Sequence, residues 1–142
     1  MIVLDTDHIS ILQHADSEVA AALQQRLAHS SDGHIATTPI TLEEQSRSWL
    51  SLISRYADVR RQVAYYDRFA ATFRFFAKWR IVPFDDAAAV RFQELRSARI
   101  RIGSTDLKIA AICLVNEATL LSRNLADFRR VPGLEVENWL GA

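Results

Sequence analysis

The first seven residues constrain the fold of this chain more than any other stretch. A short apolar run, Ile2–Leu4, is followed at once by Asp5, Thr6 and Asp7. Such a run is typical of a buried strand that carries a carboxylate to its C-terminal end. Ligands of open α/β sheets bind outside the carboxyl ends of the strands. We therefore expect a sheet whose functional edge contains Asp5.

Strand-like and helix-like runs alternate along the rest of the 142-residue chain. Further strands are predicted at 34–37, 81–84, 118–122 and 134–137, and helices at 9–13, 17–28, 39–55, 58–79, 85–98, 106–116 and 124–129. This alternation is typical of a parallel sheet with helices on both faces. No internal repeat, linker or low-complexity segment interrupts it, so we expect one domain over residues 1–142.

The predicted helix 58–79 carries more apolar surface than one core face needs. Its main stripe and the three aromatic residues that widen it are Val59, Val63, Tyr66, Ala70, Phe73 and Ala77, with Tyr65, Phe69 and Phe76. The stripe has two interpretations. It is the core of a helical hairpin, or part of it is exposed and docks another chain, because large exposed apolar patches mark interfaces.

Composition limits the class of protein. About half of the residues are hydrophobic, which excludes a disordered chain, and 17 basic residues balance 17 acidic ones. The one cysteine, Cys113, lies in an apolar run and is interpreted as buried packing in a reducing compartment. We expect a cytoplasmic protein without a membrane partner, because the sequence shows no leader and no apolar run of membrane-spanning length.

Three later acids occupy positions like that of Asp5, where a strand-like run ends or a helix-like run begins. They are Glu44, Asp106 and Asp127. Each of the four also has a structural interpretation. Asp5 and Asp106 suit the start of a helix, Thr41-x-x-Glu44 has the form of a capping box, and Asn124-x-x-Asp127 that of a helix cap. Glu43 is a rival to Glu44 as a functional acid.

All four acids are predicted to lie on the same side of the sheet, and there they would raise one another's pKa. A hard divalent cation such as Mg²⁺ or Mn²⁺ removes this penalty, because it takes oxygen ligands. The four histidines show no paired metal-ligand spacing, and His8 is interpreted as a helix cap or surface residue. The chain has neither a glycine-rich phosphate loop nor a Ser-His-Asp arrangement.

Four sequence segments, in this order and spacing, resemble PIN-domain proteins and look most like the VapC-type toxin ribonucleases of prokaryotic toxin–antitoxin pairs. They are LDTDHIS at 4–10, ITLEEQ at 40–45, DLKIAA at 106–111 and SRNLADF at 122–128. The resemblance covers essentially the whole chain. It implies a three-layer α/β/α PIN-like domain with a central, mainly parallel sheet of about five strands and a long helical hairpin.

The resemblance also implies roles for individual residues. The metal-binding and catalytic residues for RNA cleavage with Mg²⁺ or Mn²⁺ would be Asp5, Glu44, Asp106 and Asp127, supported by Thr6, Asp7, Ser122 and Asn124. Glu44 is preferred to Glu43 because the family acid is usually followed four residues later by a small residue, here Ser48. The implied partners are RNA, a cognate antitoxin and a second copy of the chain.

Two other functions remain open at this stage. The segment VLDTD at 3–7 also resembles the opening of haloacid-dehalogenase-type phosphatases, in which Asp5 would be the nucleophile and Asp7 the acid/base. That class needs a later pair of acids, and only Asp127 follows the apolar pair 120–121. The other alternative is a PIN-like scaffold that binds RNA or protein without cutting, although such members normally lose an acid and this chain keeps all four.

Overall fold

The computed structural model describes residues 1–141. Its strands are β1 (Ile2–Leu4), β2 (Ile35–Ala36), β3 (Thr119–Leu121) and β4 (Glu135–Glu137), and they form one parallel sheet in the order β2-β1-β3-β4. The helices are α1 (Thr6–Gln13), α2 (Glu18–Ala28), α3 (Pro39–Ser54), α4 (Val59–Phe76), α5 (Asp86–Ser97), α6 (Ser104–Val115) and α7 (Leu125–Phe128). The predicted order of elements is confirmed apart from the strand predicted at 81–84.

The strand predicted at 81–84 is reduced to a single bridge beside β2. Ile81 pairs with Thr37, and the amide of Val82 donates to the Thr37 carbonyl at 2.9 Å. Pro83 follows directly and has no N–H to donate, so the ladder stops there. The sheet of residues 1–141 therefore has four strands and one bridge where about five strands were expected.

Side chains of the central strands point alternately into two hydrophobic clusters, one on each face of the sheet. On β1, Val3 belongs to the cluster beneath α5 and α6, whereas Ile2 and Leu4 belong to the cluster beneath α1 and α2. On β3, Leu120 and Leu121 divide in the same way. Burial on both faces explains why these strands read as uninterrupted apolar runs. The predicted three layers are confirmed.

The predicted helical hairpin is formed by α3 and α4, but the buried face of α4 is not the main stripe. Thr72 and Phe76 are buried, and the Thr72 hydroxyl accepts a hydrogen bond of 2.9 Å from the Trp49 indole. We use the name α4 stripe for the exposed large hydrophobic residues of the predicted main stripe, which are Val59, Val63, Tyr66 and Phe73. The core interpretation is wrong for these four.

Within residues 1–141, no helix combines the length and apolarity needed to span a membrane.

Candidate active site

Three of the predicted acids meet at the carboxyl edge of the sheet. Asp5 follows β1, Glu44 lies in the second turn of α3, and Asp106 lies in the first turn of α6. One carboxylate oxygen from each lies within 4.8 Å of the other two. Residues from three elements, separated by up to 101 positions, therefore form one acidic cluster, which we call the acidic trio.

Asp5 is both a helix cap and a member of the trio. Its Oδ1 accepts a hydrogen bond of 2.8 Å from the Thr6 amide at the start of α1, and its Oδ2 accepts one of 2.8 Å from the Ser122 hydroxyl. Burial raises the pKa of Asp5 to about 7, helped by the charges of Asp7 and Asp106, although the two hydrogen bonds oppose the rise. The cap and site interpretations of Asp5 thus describe the same side chain.

The capping box suggested for Glu44 does not form. The N-cap of α3 is Thr38, whose Oγ1 accepts from the Thr41 amide at 3.2 Å, so the box is out of register. Glu44 instead uses Oε2 to accept from the Thr6 hydroxyl at 3.2 Å. Its Oε1 is buried and has no hydrogen-bond partner. Burial, with the charges of Asp106 and Glu43, raises the pKa of Glu44.

Glu43 points away from the trio. It is exposed, and its Oε2 accepts a hydrogen bond of 2.7 Å from Arg47 one turn along α3. The geometry therefore separates the two neighbouring glutamates: Glu44 lies in the acidic cluster and Glu43 lies in a surface ion pair.

Asn124 joins Asp106 to Asp127. Its Nδ2 donates to Asp106 Oδ2 at 3.3 Å and to Asp127 Oδ2 at 3.1 Å. Its Oδ1 accepts from the Asp127 amide at 3.4 Å, which forms the predicted helix cap. Burial and the charge of Asp127 raise the pKa of Asp106. Asp127 lies outside the trio, with its Oδ1 3.8 Å from Arg130 Nη1. Asn124 is its link to the trio.

Asp7 is held by donors around it. Its Oδ1 is 2.6 Å from His8 Nδ1, and its Oδ2 accepts from the Arg123 amide at 2.9 Å. Burial acts to raise the pKa of Asp7, but the hydrogen bonds from His8 and Arg123 lower it on balance. Both carboxylate oxygens of Asp7 therefore have hydrogen-bond partners within the chain. This arrangement does not favour Asp7 as the free acid/base that the phosphatase interpretation needs.

His8 is the site residue that the sequence misplaced. It was interpreted as a cap or surface residue, yet it is fully buried and bonded through both ring nitrogens. The cap of α1 is Asp5. No metal-ligand spacing pointed to His8, and a histidine beside an aspartate in the first turn of a helix carries no sequence signal of burial.

The acidic trio fits a hard divalent cation. Its donors are all carboxylate oxygens, which such ions prefer. Burial raises the pKa of all three acids, and Glu44 Oε1 lacks any partner that would offset its desolvation. A cation between the three groups would remove both costs. The trio is thus an arrangement that could hold a metal ion.

These features define the class of protein: a parallel α/β domain with a candidate metal centre of carboxylates at the carboxyl edge of its sheet. The family model of the PIN domain matches residues 2–134. The chain therefore belongs to the PIN-domain family, as its four sequence segments indicated.

The chain is also similar to VapC and VapBC proteins. The chain is 33% identical over 69 residues to ribonuclease VapC2 of Rickettsia felis, a match that covers 46% of this chain and 52% of that protein. It thus spans about half the length of this curated relative. Its fold is similar to VapBC2 of Rickettsia felis bound to a promoter DNA fragment, with a TM-score of 0.69, 24% identity and coverage of 98% and 99% of the two chains. VapBC-1 from nontypeable Haemophilus influenzae gives a TM-score of 0.72 with 19% identity, covering 99% and 100%.

Proposed function

We propose that this PIN-domain chain is a metal-dependent ribonuclease, the toxin of a VapBC-type toxin–antitoxin pair, and that it hydrolyses phosphodiester bonds of a structured or translation-related RNA. One observation carries the proposal. Three carboxylates converge within 4.8 Å, and one oxygen of Glu44 is buried there without a partner. The similarity to ribonuclease VapC2 over 69 residues supports the choice of RNA as substrate.

In this proposal the acidic trio holds Mg²⁺ or Mn²⁺. Asp127 binds the ion directly or through a water molecule, since Asn124 donates hydrogen bonds to both Asp127 and Asp106 and keeps the two acids close. A bound ion of this kind lowers the pKa of a water molecule and stabilises charge that develops on a phosphate. The chain supplies the geometry: Thr6 orients Asp5 and Glu44, Ser122 orients Asp5, and Asn124 orients Asp106.

The RNA needs positive charge near this negative site, because phosphate contacts supply most of the affinity for nucleic acids. Two exposed arginines lie beside the acids. Arg123 follows Ser122 directly, and Arg130 lies 3.8 Å from Asp127 and donates to the Arg101 carbonyl at 3.0 Å. We assign Arg123 and Arg130 to flanking phosphates of the RNA, together with the exposed Arg101, whose carbonyl accepts from Arg130.

The remaining partners are part of the same proposal. The similar solved structures are VapBC pairs by name, which supports a cognate antitoxin for this chain. A cytoplasmic location agrees with the buried free thiol of Cys113. For the homodimer, light scattering of the isolated chain should give twice its mass of 16.1 kDa. The mass of one chain at high concentration would remove the homodimer from the proposal.

The ribonuclease activity is tested with Asp5→Asn and the matched control Asp16→Asn, because Asp16 is exposed between α1 and α2. The purified wild-type chain with Mn²⁺ should cut total cellular RNA, and a chelator should stop it. Asp5→Asn should lower cleavage by about 100-fold or more, since it removes the negative charge of one ligand, while Asp16→Asn should cut normally.

A calorimetric titration with Mn²⁺ separates the proposal from a non-catalytic scaffold. The wild-type chain should bind Mn²⁺ with measurable heat, and Asp5→Asn should bind it weakly. Metal binding without cleavage of any RNA would favour a binding module. Full activity of a folded Asp5→Asn variant would exclude the acidic trio as the site.

A further inference from the structure

His8 connects two distant parts of the chain through its two ring nitrogens. Its Nε2 accepts a hydrogen bond of 3.2 Å from the backbone amide of Trp139, near the C-terminal end of the described chain. Its Nδ1 lies 2.6 Å from Asp7 Oδ1. Since Nε2 is the acceptor, the proton of the neutral ring is on Nδ1, which donates to Asp7. The surroundings of His8 thus select one tautomer.

Asp7 links His8 to the turn that follows β3. Its second oxygen, Oδ2, accepts from the Arg123 amide at 2.9 Å. In the same turn the Ser122 hydroxyl donates to Asp5 at 2.8 Å and accepts from the Asn124 amide at 3.0 Å. The turn 122–124 therefore has its backbone held by Asp7 and presents side chains to the acidic site.

We propose that His8 is a positioning residue, which fixes Asp7 and, through Asp7, the turn 122–124 that orients the acidic trio. The hydrogen bonds run from the Trp139 amide to His8, from His8 to Asp7, and from the Arg123 amide to Asp7. The turn then places Ser122 against Asp5 and Asn124 against Asp106. The effect on metal binding rests on the proposed function, whereas the effect on the turn does not.

Trp139, at the other end of this series of hydrogen bonds, is held in place independently of His8. The guanidinium of Arg26 in α2 lies 4.2 Å from the centroid of the Trp139 ring. The Trp139 amide is therefore presented to His8 by a segment that has its own anchor. His8 is also completely buried, so water does not compete for either ring nitrogen. Both properties favour one orientation of the ring and of Asp7.

Two amide substitutions separate the hydrogen bond that His8 donates to Asp7 from the one that it accepts from Trp139. In His8→Asn the side-chain amide occupies the place of Nδ1 and can donate to Asp7, but nothing accepts from Trp139. In His8→Gln the amide occupies the place of Nε2 and can accept from Trp139, but nothing donates to Asp7. We expect His8→Gln to weaken Mn²⁺ binding by about tenfold, which is the usual size of effect for residues that orient metal ligands. We expect the Mn²⁺ affinity of His8→Asn to stay within about twofold of wild type.

The readout that does not depend on metal is hydrogen exchange of the Arg123 amide. It should exchange faster in His8→Gln than in wild type or His8→Asn, because only His8→Gln leaves Asp7 free to turn away. A packing role alone would make His8→Asn, the smaller side chain, at least as harmful as His8→Gln. Equal effects of the two variants, no effect of either, or the reverse order would overturn the proposal.

The wild-type chain gives a second test that needs no substitution. Nitrogen NMR of His8 should show a protonated Nδ1 and an unprotonated Nε2, and the opposite tautomer would overturn the proposal even if a variant fails to fold. Failure of the proposed function can be distinguished from failure of this inference. A wild-type chain that binds no Mn²⁺ or cuts no RNA would not be a metal-dependent nuclease. The tautomer of His8 and the exchange rate of the Arg123 amide would still test whether His8 positions the turn 122–124.

Discussion

The hydroxyl of Ser122 donates a hydrogen bond of 2.8 Å to Oδ2 of Asp5, a residue 117 positions earlier in the chain. The register of the sheet produces this contact. Asp5 follows β1 and Ser122 follows β3, and the Asp5 amide donates to the Leu121 carbonyl at 3.0 Å. The hydrogen bond lowers the pKa of Asp5 while burial raises it. Their balance decides how much of Asp5 is charged near neutral pH.

Ser122→Ala removes this donor, so we expect the pKa of Asp5 to rise above its present value of about 7. Protons then compete better with a metal ion, and Mn²⁺ affinity at pH 7 should fall by about tenfold. Calorimetry at pH 7 and pH 9 measures the effect, which should shrink at pH 9. Ser48→Ala, on the exposed side of α3, is the control. Unchanged affinity at pH 7 would mean that Ser122 does not set the charge of Asp5.

The raised pKa of Asp5 predicts how the metal-free chain responds to pH. Asp5 titrates near 3.8 when unfolded and near 7 when folded, so the folded chain holds this proton more tightly. Its contribution to the free energy of unfolding is complete below pH 3.8 and is lost as the pH rises through 7. The whole change is on the order of 4 kcal/mol, and about 2–3 kcal/mol of it falls between pH 5 and pH 8.

Urea unfolding with a chelator present measures this response, using the difference between wild type and Asp5→Asn. Glu44 and Asp106 change in the same direction, because their pKa values are also raised, and they cancel in the difference. Asparagine is a good helix N-cap, so α1 keeps its start. Parallel pH profiles for the two proteins would show that Asp5 is not the group responsible.

The neighbouring glutamates provide a matched pair for metal binding. Glu44 has a buried oxygen without a partner, whereas Glu43 is exposed and bonded to Arg47. We expect Mn²⁺ to stabilise wild type and Glu43→Gln equally, by about 2.7 kcal/mol at a concentration of a hundred times Kd. Glu44→Gln should lose most of this gain. Thermal unfolding with and without Mn²⁺ is the measurement, and a loss confined to Glu43→Gln would reverse the assignment.

The sequence was sufficient to predict the position of Asp5 and the carboxyl edge that gathers the acids. Those predictions depend on strands that are buried on both faces and therefore read as apolar runs. The length of the strand predicted at 81–84 was overestimated. Its apolar residues resemble those of a buried strand, but Pro83 ends the pairing after one bridge. Sequence spacing also could not place Asp127, since its distance from Asp106 depends on how Asn124 bridges the two acids.

Tertiary contacts decided what local pattern could not. The burial of His8 depends on Trp139, which lies 131 residues further along the chain. The buried face of α4 is set by α3 and the connection after it. Trp49 of α3 donates to Thr72, and Tyr56 of the connection stacks on Tyr65 with centroids 5.6 Å apart. A helix with aromatic residues around most of its circumference offers several faces of similar apolarity, and only its partner selects one.

Two phenylalanines of α4 test this choice of face, with the same substitution made at each. Phe76 is 2% exposed and Phe73 is 47% exposed, although they lie one turn apart. Phe76→Ala leaves a cavity in the core and should lower the free energy of unfolding by about 3–5 kcal/mol. Phe73→Ala loses mainly an edge contact with Phe69, at 5.1 Å between centroids, and should cost about 1 kcal/mol or less.

Urea unfolding of the isolated chain at low concentration compares the two variants, because dilution removes contributions from any second copy. A similar loss for both would show that the α4 stripe is covered within a single chain. A loss for Phe73→Ala that appears only at high concentration would instead show that another copy covers the stripe, since binding to the folded state adds to stability by mass action. The concentration series thus distinguishes a solvated α4 stripe from one that is an interface between copies.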